Sequence, residues 1–94
     1  MNKIMSIEKF TNEEVDNMKQ GEVFSARNLA SQYSMYVWRT TGEYRNPYPD
    51  TIARFLRTRR AVKGDVFYYD YGRSLWWKND HVATLKERCI RRGI

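Results

Sequence analysis

The chain has a single cysteine, Cys89, so no internal disulfide can form, and a single histidine, His81, so a Cys–His metal site is excluded in practice. A lone thiol fits a reducing compartment, and the expected location is cytoplasmic. No apolar stretch approaches the ~18 residues that a membrane span requires. The opening MNKIMSIEKF has no apolar run long enough for a signal peptide. Acidic residues are scattered without paired spacing. There is no nucleophile–base pair, metal-ligand cluster or phosphate loop, so neither an enzyme nor a cofactor is expected.

What is present is length for one small domain, aromatic residues and positive charge. Domains commonly run to about 100–150 residues, so 94 residues are read as a single domain, 1–94, with 1–10 as an N-terminal arm and 79–94 as a C-terminal helix. A small core needs large side chains, and three Trp, seven Tyr and four Phe supply them. They cluster between Tyr33 and Tyr48 and between Phe67 and Trp77. The net charge is +6. Residues 1–42 balance five basic against five acidic side chains, whereas 43–94 hold twelve basic and six acidic. Residues 51–63 carry five basic side chains and no acid. That asymmetry points to a polyanionic partner, against the plainer reading of a solvated face.

Thr11-Asn12-Glu13-Glu14 has the form of a capping box, with Phe10 and Val15 at the spacing of a hydrophobic staple. The first helix is expected to start there, to end near Lys19 and to stop at Gly21. Glu22-Val23-Phe24 reads as an extended link or minimal strand. Ser25 caps a second helix whose apolar face is Ala26, Leu29, Ala30, Tyr33 and Val37. That helix runs to about Thr40 with Gly42 as its stop, or it breaks near Ser34. Asn46-Pro47 and Tyr48-Pro49 disfavour helix at Asn46 and Tyr48, making 43–49 a loop. The third helix, placed at Thr51–Ala61, starts with Asp50 as cap or with Pro49 in its first turn. At roughly 100° per residue, Ile52, Phe55 and Leu56 share the buried side. Arg54, Arg57 and Thr58 point away, with Thr51 beside them, while Arg59 and Arg60 fall near the buried face or its edge, better placed to reach a phosphate or to pair locally than to read bases.

Lys63-Gly64-Asp65 is a turn. Val66–Tyr71 and Ser74–Lys78 read as two strands of a hairpin closing around Gly72-Arg73. A Tyr71-Gly72-Arg73 loop would set Phe67 opposite Trp77 and Tyr69 opposite Leu75. Those four are expected to face the core, leaving Tyr68 and Trp76 outside. Asp80 is expected to cap the last helix, from His81 to about Arg92, with Val82, Leu85 and Cys89 on one face and Lys86, Arg88, Arg91 and Arg92 toward its end.

The order helix, short strand, helix, helix, hairpin over residues 11 to 78 resembles the winged helix-turn-helix superfamily. The stretch TIARFLRTRRAVKGDVFYYDYGRSLWW is similar to that superfamily's recognition helix and wing. The resemblance implies an α+β fold: a three-helix core, a C-terminal β-hairpin wing and a final helix. One departure is the sixteen residues between Tyr33 and Asp50, where the superfamily has a short turn. The implied function is sequence-preferring binding of double-stranded DNA by a small regulator or accessory factor. Arg54, Arg57, Thr51 and Thr58 would contact bases in the major groove. Arg73 at the wing tip would enter a minor groove. Ser25, Arg27, Arg59, Arg60, Lys63 and Lys78 would hold the backbone. Neutralising about five phosphates predicts a log–log salt slope near −4 to −5. A different class of function is a protein-interaction module, an inhibitor or adaptor that meets an acidic protein. The 33–48 region or the C-terminal helix would carry such a partner or a second copy. A single-strand reader would instead need Tyr68 or Trp76 exposed for stacking.

Overall fold

The structure, a computed structural model, describes residues 4–79. It is an α+β arrangement of three helices and one small antiparallel sheet. The first helix, α1, spans Ile7–Asp16, one turn earlier than its expected start. Its cap is Ser6, whose Oγ accepts from the Lys9 amide at 3.1 Å. Thr11, expected as the cap, is instead fully buried mid-helix. Long-range packing decides between the two hydroxyls. The extra turn carries Ile7 and Phe10 against Tyr33, Tyr36 and Val37. The Phe10 ring stands edge-on to Tyr33 at 5.2 Å. The Tyr33 hydroxyl donates to the Met5 carbonyl, and the Met5 amide donates to the Tyr36 hydroxyl, both at 2.8 Å. The chain at Met5 is therefore tied down. The helix also ends early, at Asp16 rather than near Lys19.

A short strand, β1 (Val23–Ser25), leads into α2 (Ala26–Thr41). Ser25 caps α2 as expected, its Oγ accepting from the Asn28 amide at 2.9 Å. Gly42 closes it in the left-handed region at φ 74°, where a side chain would be strained. No break occurs at Ser34. All five residues of the expected apolar face are buried. A loop then leads to α3 (Pro49–Val62), which starts with Pro49 in its first turn and has no side-chain cap. Proline fits there because its missing N–H would be unpaired in any helix. Ile52, Ala53 and Leu56 seat α3 on the core, with Phe55 half-buried.

The hairpin is β2 (Val66–Asp70) and β3 (Leu75–Lys78), joined by a single 3-10 turn, Tyr71–Arg73. With β1 it forms a sheet in the order β1-β3-β2. Phe67 pairs with Trp77 as expected, but a bulge between Tyr68 and Asp70 sets Asp70, not Tyr69, opposite Leu75. The expected faces are reversed. Trp76 is 1% exposed and Val66 fully buried, while Tyr69 is 66% exposed. Both faces carry an aromatic pair, so alternation could not choose between them. Phe24 of β1 lies beside Trp76 in register, and these two with Val66 join Val15, Leu29, Ile52 and Leu56 in one core. Fully burying one such aliphatic side chain contributes about 1.5–3 kcal/mol. The C-terminal helix expected from Asp80 onward lies outside the described residues.

Candidate functional site

The exposed side of α3 divides into three strips. On one side, Thr58 and Val62 line a cleft of about 270 Å³ with Glu8 and Asn12 of α1. The Thr58 hydroxyl is already engaged, donating to the Arg54 carbonyl at 3.1 Å. Thr51 is half-buried. Along the crest stands Arg54, its guanidinium 5.9 Å from the Phe55 ring centre. On the other side, Ala53, Arg57 and Arg60 turn toward the hairpin. The Arg60 guanidinium lies 5.2 Å from the Tyr68 ring centre. Arg57 is exposed and has no acidic partner among the described residues. The four expected base-contact residues therefore do not form one patch. Arg54 stands on the crest, Arg57 on the hairpin side and Thr58 on the α1 side, while Thr51 is half-buried.

A second cleft, of about 250 Å³, runs between α3 and the hairpin. Asp50, Ala53 and Arg57 form its helical wall. Tyr68 and Trp76, with Tyr71, Gly72 and Ser74 of the turn, form the other. Arg57 and the hairpin tip thus border one space. The start of α2 belongs to the same end of the molecule, because the Ala26 amide donates to the Ser74 carbonyl at 3.1 Å. That places Ser25 and exposed Arg27 beside the turn, although the Ser25 hydroxyl is occupied in capping α2. The Arg73 side chain is 80% exposed, with Nε 3.6 Å from Asp70 Oδ2. Asp70 also accepts from the Arg73 amide. This acidic neighbour partly neutralises the tip, and an aspartate three residues from an arginine in a tight turn was the available signal for it.

Two expected backbone contacts are overturned. Arg59 is 4% exposed and Lys78 is 2% exposed, so neither can reach a phosphate. Arg59 grips Asp65 with two bonds, Nε to Oδ1 at 2.9 Å and Nη2 to Oδ2 at 2.7 Å. Its Nη1 donates to the Asn12 carbonyl and side chain, and Nη2 reaches Asp16. Lys78 Nζ donates to the Val15 carbonyl at 2.7 Å and stands 3.5 Å from Asp65 Oδ2. Burial opposes the Arg59 charge, but its bonds to Asp65 and Asp16 outweigh that and raise its pKa. Burial likewise opposes the Asp65 charge, and the Arg59 bonds win, holding Asp65 below the usual carboxylate range. Asp16 is lowered chiefly by its hydrogen bond from Arg59. Lys63 remains exposed, 3.9 Å from Asp16.

No family model, curated protein or solved structure matches this chain. Its chemistry therefore rests on geometry. Among the described residues, no group of His, Cys, Asp and Glu could hold a metal ion. No helix among them is long and apolar enough to cross a membrane. Tyr68 and Trp76, the expected stacking residues, face inward. Tyr69 and Tyr71 are the exposed aromatics of the hairpin.

Proposed function

We propose that this chain is a winged-helix DNA-binding domain that lays α3 in the major groove of a duplex, with the β2–β3 hairpin as its wing. The observation that carries the reading is the shared cleft: Arg57, unpaired among the described residues, and the hairpin tip border one space at one end of the molecule. In this reading Arg54 and Arg57 contact guanine through bidentate hydrogen bonds, the commonest specific contact in that groove. Arg27, Arg60, Lys63 and Arg73 meet phosphates, and Thr51 and Thr58 drop to the flank. A regulator or accessory factor working in a reducing, nucleic-acid-bearing compartment fits this chemistry.

The test is a titration of a selected duplex at several salt concentrations. About four phosphate contacts give a log–log slope of about −3 to −4. Arg57→Ala should weaken the preferred site by about 1–3 kcal/mol, with little change in thermal midpoint because the side chain is exposed and unpaired among the described residues. An Arg54→Ala/Arg57→Ala double variant that binds like the wild type removes the proposal.

One observation favours a second reading, a protein-interaction module. Met35, Trp38 and Tyr44 are exposed and line a groove of about 320 Å³ along α2 with Ser31, Ser34 and Asn46. Exposed apolar patches of this kind mark partner surfaces. Failure to bind any duplex at low salt, together with loss of a protein partner on Trp38→Ala, would favour it.

A further inference from the structure

The cleft between α3 and the hairpin holds more than a groove-reading helix needs. We propose that it takes one unpaired nucleobase, guanine before the others; the proposal rests on the DNA-binding reading above. Three observations converge. The first is size. At about 250 Å³ the cleft lies just under the ~300 Å³ at which pockets for drug-sized molecules begin, which suits one planar ring system rather than a whole nucleotide.

The second is an aromatic series running from core to surface. Trp76 packs on Tyr68 with ring centres 4.2 Å apart, and Tyr68 meets Tyr71 edge-on at 4.9 Å. Tyr71 is 65% exposed and ends the series at the cleft. A ring fixed by its neighbours and open on its remaining surface is a stacking platform, and every base has a face to stack. The third is unused hydrogen-bonding capacity. Asp50 and Arg57 line the cleft, both are exposed, and neither side chain has a hydrogen-bond or ion-pair partner among the described residues. One offers only acceptors and the other only donors, both open to a ligand.

The polar pair on α3 selects the base, Arg57 turning from the groove to the cleft where an unpaired base is present while Arg54 keeps the groove contact. Asp50 and Arg57 stand seven residues apart, two helical turns or about 10 Å, so they address a ring from both ends. A carboxylate only accepts, and guanine offers N1–H and its amino group along one edge. A guanidinium only donates, and guanine offers O6 and N7. Adenine offers a carboxylate only its N6 amino group, flanked by the acceptors N1 and N7.

Fluorescence anisotropy with three short duplexes tests this. One is fully paired, one carries a single extrahelical guanine, and one an extrahelical cytosine; guanosine monophosphate serves as competitor. The extrahelical guanine should bind on the order of tenfold tighter than the paired duplex, as expected for one stacked base. Tyr71→Ala should erase that advantage, and Asp50→Asn should erase the preference for guanine over cytosine. Displacement of the bulged duplex by the free nucleotide would support base recognition and make a free nucleotide the source. Equal affinity for all three duplexes overturns the cleft proposal and leaves the DNA reading standing. Binding to none of them overturns both.

Discussion

Arg59 has an acceptor for each N–H of its guanidinium, drawn from Asn12, Asp16 and Asp65. A buried charge is tolerated only when paired in this way, and removing one partner strands the other. Arg59→Ala should therefore cost about 3–5 kcal/mol, a large part of the stability of a small domain, measured by urea denaturation. A loss under 1 kcal/mol would show that water reaches Asp65 freely. Thr11 presents the opposite case. Its hydroxyl is buried with no partner among the described residues, and an unpaired buried polar group is a standing cost of about 1–3 kcal/mol. Valine has nearly the same shape without the hydroxyl. Thr11→Val should raise stability by about 1 kcal/mol, a rise of roughly 4–8 °C in Tm. An unchanged or lower Tm would mean that a bound water already serves the Thr11 oxygen.

At the scale of elements, the caps show why some of the fold could be read in advance. For α2 three independent signals agree: Ser25 at its start, Gly42 at its end, and helical spacing between them. Ser25→Ala should cost about 1 kcal/mol by losing the bond to the Asn28 amide, seen as a lower denaturation midpoint with unchanged slope. Wild-type stability in that variant would mean that β1–β3 pairing alone fixes the start of α2. For α1 the local signals compete. Ser6 and Thr11 are both hydroxyl residues, and the choice falls to Tyr33 and Tyr36, more than twenty residues away. The hairpin was legible in its pairing but not in its facing. Phe67–Trp77 and Tyr68–Trp76 are equally aromatic, and only Phe24 of β1 settles which pair turns inward. Arg59 was placeable near the buried face by the helical repeat, and Asp65 lies only six residues on. Its second carboxylate, Asp16, is 43 residues away in sequence, a distance across which no periodicity speaks. Arg54 and Arg57, by contrast, needed only the helical repeat to be placed on the open side.

At the scale of the molecule, charge is divided between an internal cluster and an open face. Arg59 and Lys78 are spent internally on Asp16 and Asp65, joining α1, α3, β3 and the turn that leads into β2. Arg54 and Arg57, on the open side of α3, remain available. The internal cluster gives stability a definite pH signature. Asp16 and Asp65 both titrate below the ordinary carboxylate value of about 3.9. A depressed carboxylate contributes stability that is complete above its unfolded pKa and is lost as pH falls through the folded one. The raised Arg59 pKa adds nothing in this window, because that group keeps its proton throughout. Tm should hold steady from neutral pH to about 5 and fall below about pH 4. Rising net positive charge would also lower Tm in acid, so the deciding comparison is with Asp65→Asn. That variant should be less stable at neutral pH, and its deficit should shrink as the wild-type carboxylate takes up a proton. A deficit that stays constant from pH 7 to pH 3 would mean that Asp65 keeps its charge down to pH 3 or contributes through shape alone, and titration of its carboxyl carbon by NMR would tell the two apart.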